Sequence, residues 1–516
     1  MKKLTNKRPI VVFAIFMIAV LFMLLYCNSV ELRICILTIG TILLVIGLSI
    51  FFRSTNANLK FVFSRVAIFA IASLVALGSV FVSEKIYYQD YEDYSGYVVL
   101  SGRVASAGDY YDGGKRKLLL DNVHVETDDF SKDLKHNAEI VVVDSDDLFV
   151  VGDEIVATAK ISFSVLYYEG EYGISFSHKV KNVSCSGYVM AENISVVGSG
   201  NLKVSDIVKN RVEDIATYAL DKEYAGLALG MLFGDDSSMN VVMREDFSAT
   251  GIAHLLAVSG LHVGFLLTIL MLLCKLFRIK GFFRFLIISI LLIGYAYLCG
   301  FSVSVVRATI MCICSLYAAA RGKRYDLLNS LSLSAIIVLI LNPFSLSTVG
   351  FRLSYLAVLS IALISKPLTR IFQKFCKEKL SNTIATILAA QIGTTGIMIA
   401  YFNNVSLVAI LANFVCIPVA SFAYMLLFAT TALSFVMPFL SVSVYLFQFV
   451  MQVVVKFAHL LARVDVLMLA SWQGTVVTSL TIPTMSIASD YLFVKNKYKY
   501  ALVGAVAIIL LIVCLI

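Results

Sequence analysis

The sequence predicts a polytopic α-helical membrane protein of about 12–13 spans with an inserted extracellular five-stranded OB-like β-barrel. Three observations lead there. Apolar runs of near-crossing length recur through most of the 516 residues, of which 59% are hydrophobic and only 15% charged. One polar stretch, 84–220, abandons that pattern for short alternating segments. Basic residues gather in every second loop between the apolar runs, as the positive-inside rule requires of a multi-pass protein. This composition excludes an ordinary soluble globular domain.

The N-terminal third divides at residue 83. Lys2, Lys3, Lys7 and Arg8 precede an apolar run over 10–26. No A-x-A cleavage site follows it, and LLYC at 24–27 is a poor lipobox because of Tyr26. A second run begins at Leu32 and a third covers 61–82, so 1–83 reads as about three uncleaved spans. The first basic cluster places residue 1 in the cytoplasm; Arg53, Lys60 and Arg65 place the second turn there too. The third span therefore exits at Ser83, and the polar stretch lies outside.

That stretch carries 23 acidic and 13 basic residues although the whole chain has a net charge of +8. Strand-like segments fall at 97–105, 116–125, 138–143, 153–163 and 172–183, separated by turns such as Gly113-Gly114 and Gly152-Asp153. Five short strands suit a small barrel of the OB type over 84–200, with another five-stranded topology as the alternative. Its tyrosines, among them Tyr87, Tyr88, Tyr97, Tyr110, Tyr167 and Tyr172, could stack bases. They could equally fill the barrel or rest at the membrane interface. The only tight basic cluster is Lys115-Arg116-Lys117, little for a phosphate-binding surface. Cys185 is the sole cysteine of the stretch, so no internal disulfide forms there; most of the ten cysteines lie in apolar runs.

Residues 201–250 read as an amphipathic, interfacial helical segment, with Leu202, Ile207, Val208, Val212, Ile215 and Ala219 at helical spacing. Asp235-Asp236 follows in a loop without other clustered ligands. From 251 to 516 apolar spans resume, with the basic clusters 275–284, 321–324, 366–379 and 495–499 all on the cytoplasmic side.

The candidate functional residues sit in this last region. The stretch 246–264, DFSATGIAHLLAVSGLHVG, places His254, Ser259, Gly260 and His262 in an otherwise apolar setting. Polar groups at membrane depth are costly unless they face other helices or a water-filled path. The two histidines match no familiar zinc spacing, and Ser259 lacks the G-x-S-x-G elbow of hydrolases. Arg307 and Arg352 fall near the outer ends of their spans, where the positive-inside rule disfavours them. Guanidinium groups there suit phosphate contact or intramembrane pairing. Asn413 and Pro418 mark an expected helix break, and Gln391 of QIGTTG could join them in lining a pore.

The segment TGIAHLLAVSGLHVG (250–264) resembles the signature of the ComEC family of competence membrane channels. GFSVSVVRA (300–308), NPFSLSTVGFRLSYLA (342–357) and ANFVCIP (412–418) resemble further family motifs in the same order. The resemblance covers roughly 220–460. It implies a competence-type transmembrane channel domain over 251–516 that passes single-stranded DNA across the bacterial cytoplasmic membrane. In the topology read from charge, His254, Ser259, His262, Arg307 and Arg352 lie toward the outer side, and with Gly260 they are the candidates for the outer mouth of the DNA path. Implied partners are single-stranded DNA, the lipid bilayer, and a separate nuclease, DNA receptor and cytoplasmic translocase. Many members carry a C-terminal metallo-β-lactamase-like domain. This sequence has no H-x-H-x-D-H cluster and only six histidines, so it is expected to be the form without that nuclease. It has no P-loop, and no metal, cofactor or catalytic residue is expected. A small-solute or lipid-handling permease of the same architecture, and an intramembrane hydrolase using Ser259, are the competing readings.

Overall fold

The computed structural model describes residues 8–490 apart from 27–29, 54–56, 91, 93, 108–114, 144–148, 164–178, 181, 201–202, 235–238, 240, 257, 407, 435–443 and 464–466. Three helices open the chain: α1 (Pro9–Tyr26), α2 (Val30–Arg53) and α3 (Ala57–Tyr88). α1 is apolar throughout and starts on Pro9, which costs little at a first helical position because the missing N–H has no partner there. α3 continues past the expected end at 82. At about 1.5 Å per residue it is roughly 48 Å long, against about 30 Å of hydrocarbon, so one or both of its ends stand clear of the apolar layer.

The β domain follows. Five strands close into a barrel: β1 (Ser95–Ala107), β2 (Arg116–Glu126), β4 (Asn137–Val143), β5 (Asp153–Phe163) and β6 (Val183–Met190). β1 pairs with both β2 and β5, and β4 pairs with β6 in parallel; the other barrel pairings are antiparallel. A short β3 (Ser131–Asp133) extends β2, and β7 (Ile194–Ser199) adds to β5. Alternate residues point inward, so Val98, Leu100, Leu118, Leu120, Ile140, Ala157, Ala159 and Ile161 form one buried core. Four of the five expected strands stand within a few residues of their expected limits. The fifth does not: the strand that closes the barrel is Val183–Met190, and most of 172–183 lies outside the described residues, as do Gly113-Gly114 and the tyrosines at 110, 167 and 172.

Polar contacts tie the barrel to the helices at its entry and exit. Asp90, just past α3, accepts from the backbone N–H groups of Lys135 and His136 at 2.9 and 2.8 Å and meets His136 Nδ1 at 2.6 Å. Burial alone would raise the Asp90 pKa; the His136 bond and the two amides outweigh it and hold the carboxyl below its ordinary value. Tyr87 Oη donates to the Val183 carbonyl. At the exit, buried Arg103 bonds Asp121 of β2 at 2.6 and 2.8 Å and Asp206 of α4 (Val204–Ala219) at 2.9 Å, while Lys203 reaches Asp121 at 2.5 Å. Burial raises the Asp121 pKa, and the two cations more than reverse that.

After α4 come α5 (Lys222–Phe233) and α6 (Val241–Ala249). α4 buries Val212, Ile215, Ala216 and Ala219 at helical spacing, as expected of an amphipathic helix. α5 is covered by other elements on all sides, Tyr224 to Phe233 all being buried. It ends on Gly234 in the left-handed region, a position that favours glycine. Asp235-Asp236 lies outside the described residues.

The remaining helices are α7 (Gly260–Leu276), α8 (Gly281–Leu298), α9 (Val303–Ala320), α10 (Leu327–Leu341), α11 (Val349–Phe372), α12 (Glu378–Phe402), α13 (Ala409–Ser434), α14 (Tyr445–Ala462) and α15 (Ser471–Ala488). Among the described residues eight helices are long and apolar enough to cross a membrane: α1, most of α3, α8, α9 and α11 to α14. Shorter apolar helices are Arg33–Leu43 within α2, α7 and α10. The expected 12–13 also counted 475–494 and 501–516. The former is largely α15, whose Thr478, Thr481 and Thr484 hydroxyls donate back to carbonyls four residues earlier; the latter lies outside the described residues.

Long-range contacts sort the helix ends. Arg8 pairs with Asp326 at 2.7 Å and Arg370 with Asp490 at 2.8 Å, all four beside loops read as cytoplasmic. Tyr26, Arg352 and Tyr401, all at ends read as outer, meet one another. The helix order is therefore compatible with the alternation inferred from charge.

Candidate functional site

The stretch 246–264 is not a single span. α6 ends at Ala249, and Gly251 turns the chain at φ +72°. A β-carbon at Gly251 would lie 2.8 Å from Ala409 Cβ, so glycine also permits close approach to α13. A short 3₁₀ turn, Ala253–Leu255, carries His254, and Ser259 then caps α7. His254 is exposed, whereas His262 is 1% exposed.

Ser259 and His262 form a reciprocal cap. Ser259 Oγ accepts from the Leu261 N–H at 3.3 Å, and the Ser259 N–H donates to His262 Nδ1 at 3.0 Å. With Nδ1 accepting, the proton of the neutral ring sits on Nε2. Ser259 Oγ also lies 3.2 Å from Nδ1, the separation of a serine–histidine dyad. A backbone amide already occupies that nitrogen, and among the described residues no hydrogen bond joins a carboxylate to the ring, so this is capping geometry rather than an activated nucleophile. The His262 ring packs 4.5 Å from that of Tyr424, whose hydroxyl meets Tyr295 Oη at 3.0 Å; Tyr295 donates to the Leu232 carbonyl at 2.9 Å. These tyrosines join α5, α7, α8 and α13 around the stretch.

The two arginines differ. Arg352 is half-buried and fully engaged: Nε donates to the Leu346 carbonyl at 3.1 Å, and the two terminal nitrogens donate to Tyr401 and Tyr26 hydroxyls. Its guanidinium carbon lies 5.6 Å from the Tyr401 ring and 5.9 Å from the Tyr26 ring. Arg307 is 6% exposed, and its Nε has no hydrogen-bond partner among the described residues. The Tyr355 ring lies 5.8 Å away. Breaking a buried ion pair, and so leaving a charge without its partner, typically costs about 3–5 kcal/mol. Arg307 Nη2 rests on Gly260: a β-carbon there would stand 2.6 Å from it.

The second group of candidates sits on two helices, Gln391 on α12 and Asn413 and Pro418 on α13. Gln391 is half-buried on α12, while its neighbours Gly393 and Gly396 serve packing. A β-carbon on Gly393 would lie 1.8 Å from Ser360 Oγ, and one on Gly396 2.3 Å from Thr478 Oγ1. The expected break at Asn413 and Pro418 is absent. α13 runs unbroken through both, losing at Pro418 only the bond to the Phe414 carbonyl. Asn413 is 5% exposed, with Oδ1 lacking a partner among the described residues. Sequence reading missed the contact of Asp246 with His459 at 2.8 Å, which a separation of 213 residues hides. Among the described residues no cluster of three or more His, Cys, Asp or Glu could hold a metal.

Comparison with known proteins covers the same region. The family model described as Competence protein matches residues 231–490, from the end of α5 to the end of α15. ComE operon protein 3 of Bacillus subtilis is 29% identical over 39% of this chain and 26% of its own length. Recombination protein 2 of Haemophilus influenzae is 26% identical over 46% of this chain and 32% of its own. An uncharacterized protein of Aquifex aeolicus is 30% identical over 40% of this chain and 47% of its own. The aligned regions thus cover between about a quarter and a half of these relatives, and no solved structure matches. With half of its length inside the family match, carrying both the 246–264 stretch and the two arginines, this chain belongs to the competence protein family of the ComEC type.

Proposed function

We propose that this protein passes single-stranded DNA inward across the bacterial cytoplasmic membrane during natural transformation, with the barrel on the outer side at the entrance. The observation that carries the reading is the interrupted α6–α7 connection. Irregular backbone among membrane helices is tolerated where it is buried in protein or lines a water-filled path, and here it presents an exposed His254 and, at Gly260, rests against the buried Arg307. His254, Ser259, Gly260, His262 and Arg307 then belong to the outer mouth. Arg352 braces the helices around it, and Gln391 and Asn413 lie further along the bundle. A separate nuclease, a DNA receptor and a cytoplasmic translocase would supply and draw in the strand. The names of the two relatives, a competence-operon protein and a recombination protein, support a role in DNA acquisition.

The test is internalised labelled DNA in a deletion strain, complemented with wild-type or variant protein at equal membrane levels. Restored uptake supports the channel; uptake indifferent to the deletion refutes it. The hydrolase alternative rests on the Ser259–His262 contact. Ser259→Ala should leave most uptake intact, and a normally expressed yet inactive variant would favour the hydrolase.

A further inference from the structure

Arg307 poses an electrostatic problem that the protein alone does not solve. The residue is 6% exposed, its Nε has no hydrogen-bond partner, and no carboxylate pairs with it among the described residues. It also lies against the wrong end of a helix. Nη2 lies where a side chain of Gly260 would stand, at the first residue of the 17-residue α7, where aligned peptide dipoles present partial positive charge. A buried cation pressed on a positive helix end is unfavourable twice over. Buried Arg103, by contrast, is held between Asp121 and Asp206.

We propose that Arg307 and the N-terminal end of α7 form one binding site for a phosphate-type anion, occupied in transport by successive phosphodiesters of the strand. The choice of the strand as occupant rests on the channel reading above. An anion here would satisfy the guanidinium and lie in the positive field of the α7 end, whose Leu261 N–H Ser259 already holds, the setting in which helix N-termini favour phosphate in other folds. Gly260 is what allows the two to converge, since any side chain would displace Nη2. Nothing at the site reads a base, so recognition is of the backbone alone and independent of sequence. A lipid headgroup has the same chemistry, and the test separates the two.

Full-length protein is purified in a maltoside detergent, which contains no phosphate. Two probes are titrated, a fluorescent 20-nucleotide oligothymidine and an abasic deoxyribose-phosphate strand of equal length. Arg307→Gln should weaken both at least tenfold and equally, Arg307→Lys should weaken them less, and Gly260→Ala should resemble Arg307→Gln. In phosphate-free buffer Arg307→Gln should melt no lower than wild type, because it removes a cation that lacks a partner. Inorganic phosphate should raise the melting temperature of wild type and not of Arg307→Gln. Wild-type strand binding by Arg307→Gln, or a lower melting temperature that phosphate raises equally in both proteins, overturns the site. If phosphatidylglycerol stabilises wild type through Arg307 while strand binding ignores Arg307, the occupant is a headgroup and the phosphodiester assignment falls. If Arg307-dependent phosphate binding holds but deletion leaves uptake unchanged, the site stands and the channel reading fails.

Discussion

Replacing Arg352 tests whether its guanidinium is a structural fork. Its nitrogens donate to the Leu346 carbonyl and to the hydroxyls of Tyr26 and Tyr401, joining α1, α11 and α12 at one end of the bundle. The group is half-buried, so each bond is taken near the net value of about 1 kcal/mol rather than the larger value for a fully desolvated charge. Arg352→Ala then costs about 3 kcal/mol. Lysine has a single ammonium and no fork, so it retains about one of the three contacts, and Arg352→Lys costs about 2 kcal/mol. Tyr26→Phe and Tyr401→Phe each cost about 1 kcal/mol in wild type and close to nothing in the Arg352→Ala background, a coupling that double-mutant cycles resolve. The assay is equilibrium unfolding in mixed micelles as the SDS fraction rises. It is followed by fluorescence of Trp472, the single tryptophan of the chain. Its neighbour Ser471 donates to the Ala400 carbonyl at 2.7 Å, so the probe sits beside Tyr401. An Arg352→Lys protein as stable as wild type, or tyrosine effects that simply add to that of Arg352→Ala, would refute the fork and return Arg352 to the pool of phosphate ligands.

Three further outcomes are expected. Gly474→Ala should destabilise by about 1–3 kcal/mol in the same assay, because its β-carbon would meet Ala400 N at 2.2 Å and force α12 and α15 apart; an unchanged transition would show that the crossing is loose. Asp129→Cys in the barrel should react with an impermeant thiol reagent on intact cells and Lys323→Cys should not; the reverse would invert the proposed orientation. The Asp90 carboxyl is held below its ordinary value, so the stability it contributes is complete above the unfolded pKa of about 3.9 and is lost as pH falls through the folded value. Asp90→Asn should therefore flatten the loss of stability below about pH 4, and an acid limb identical to wild type would show that Asp90 titrates alike in both states.

Legibility in the sequence followed the range of the interactions. Helices declared themselves by uninterrupted apolar runs, and four strands by alternation, because both signals are local. The barrel's last strand, VSCSGYVM, carries Ser, Cys and Gly where β-branched or aromatic residues would announce a strand. It is held by pairing with β4 and β5 and by buried Cys185, which only the closed barrel reveals. The break expected at Pro418 failed for a related reason: one lost hydrogen bond does not interrupt a helix packed along buried Ala412, Cys416, Ala420 and Ala423. At the site, composition marked His254, Ser259, Gly260 and His262 as out of place, but not which of them faces inward. The two arginines looked alike in sequence. What separates them is that Tyr26, 326 residues away, reaches Arg352, while Arg307 rests on a glycine.

The Tyr26–Arg352 contact also sets a clock on assembly. α1 is made long before its partners: its Tyr26 end is completed only when residue 352 arrives, and Arg8 at its other end waits for Asp326. At about 5–20 residues per second, the 326 intervening residues take roughly 15–65 s to synthesise. During that interval Arg8 and Tyr26 wait for these two partners. Both ends of α1 thus wait for residues made long after it, while the Arg370–Asp490 pair completes later still.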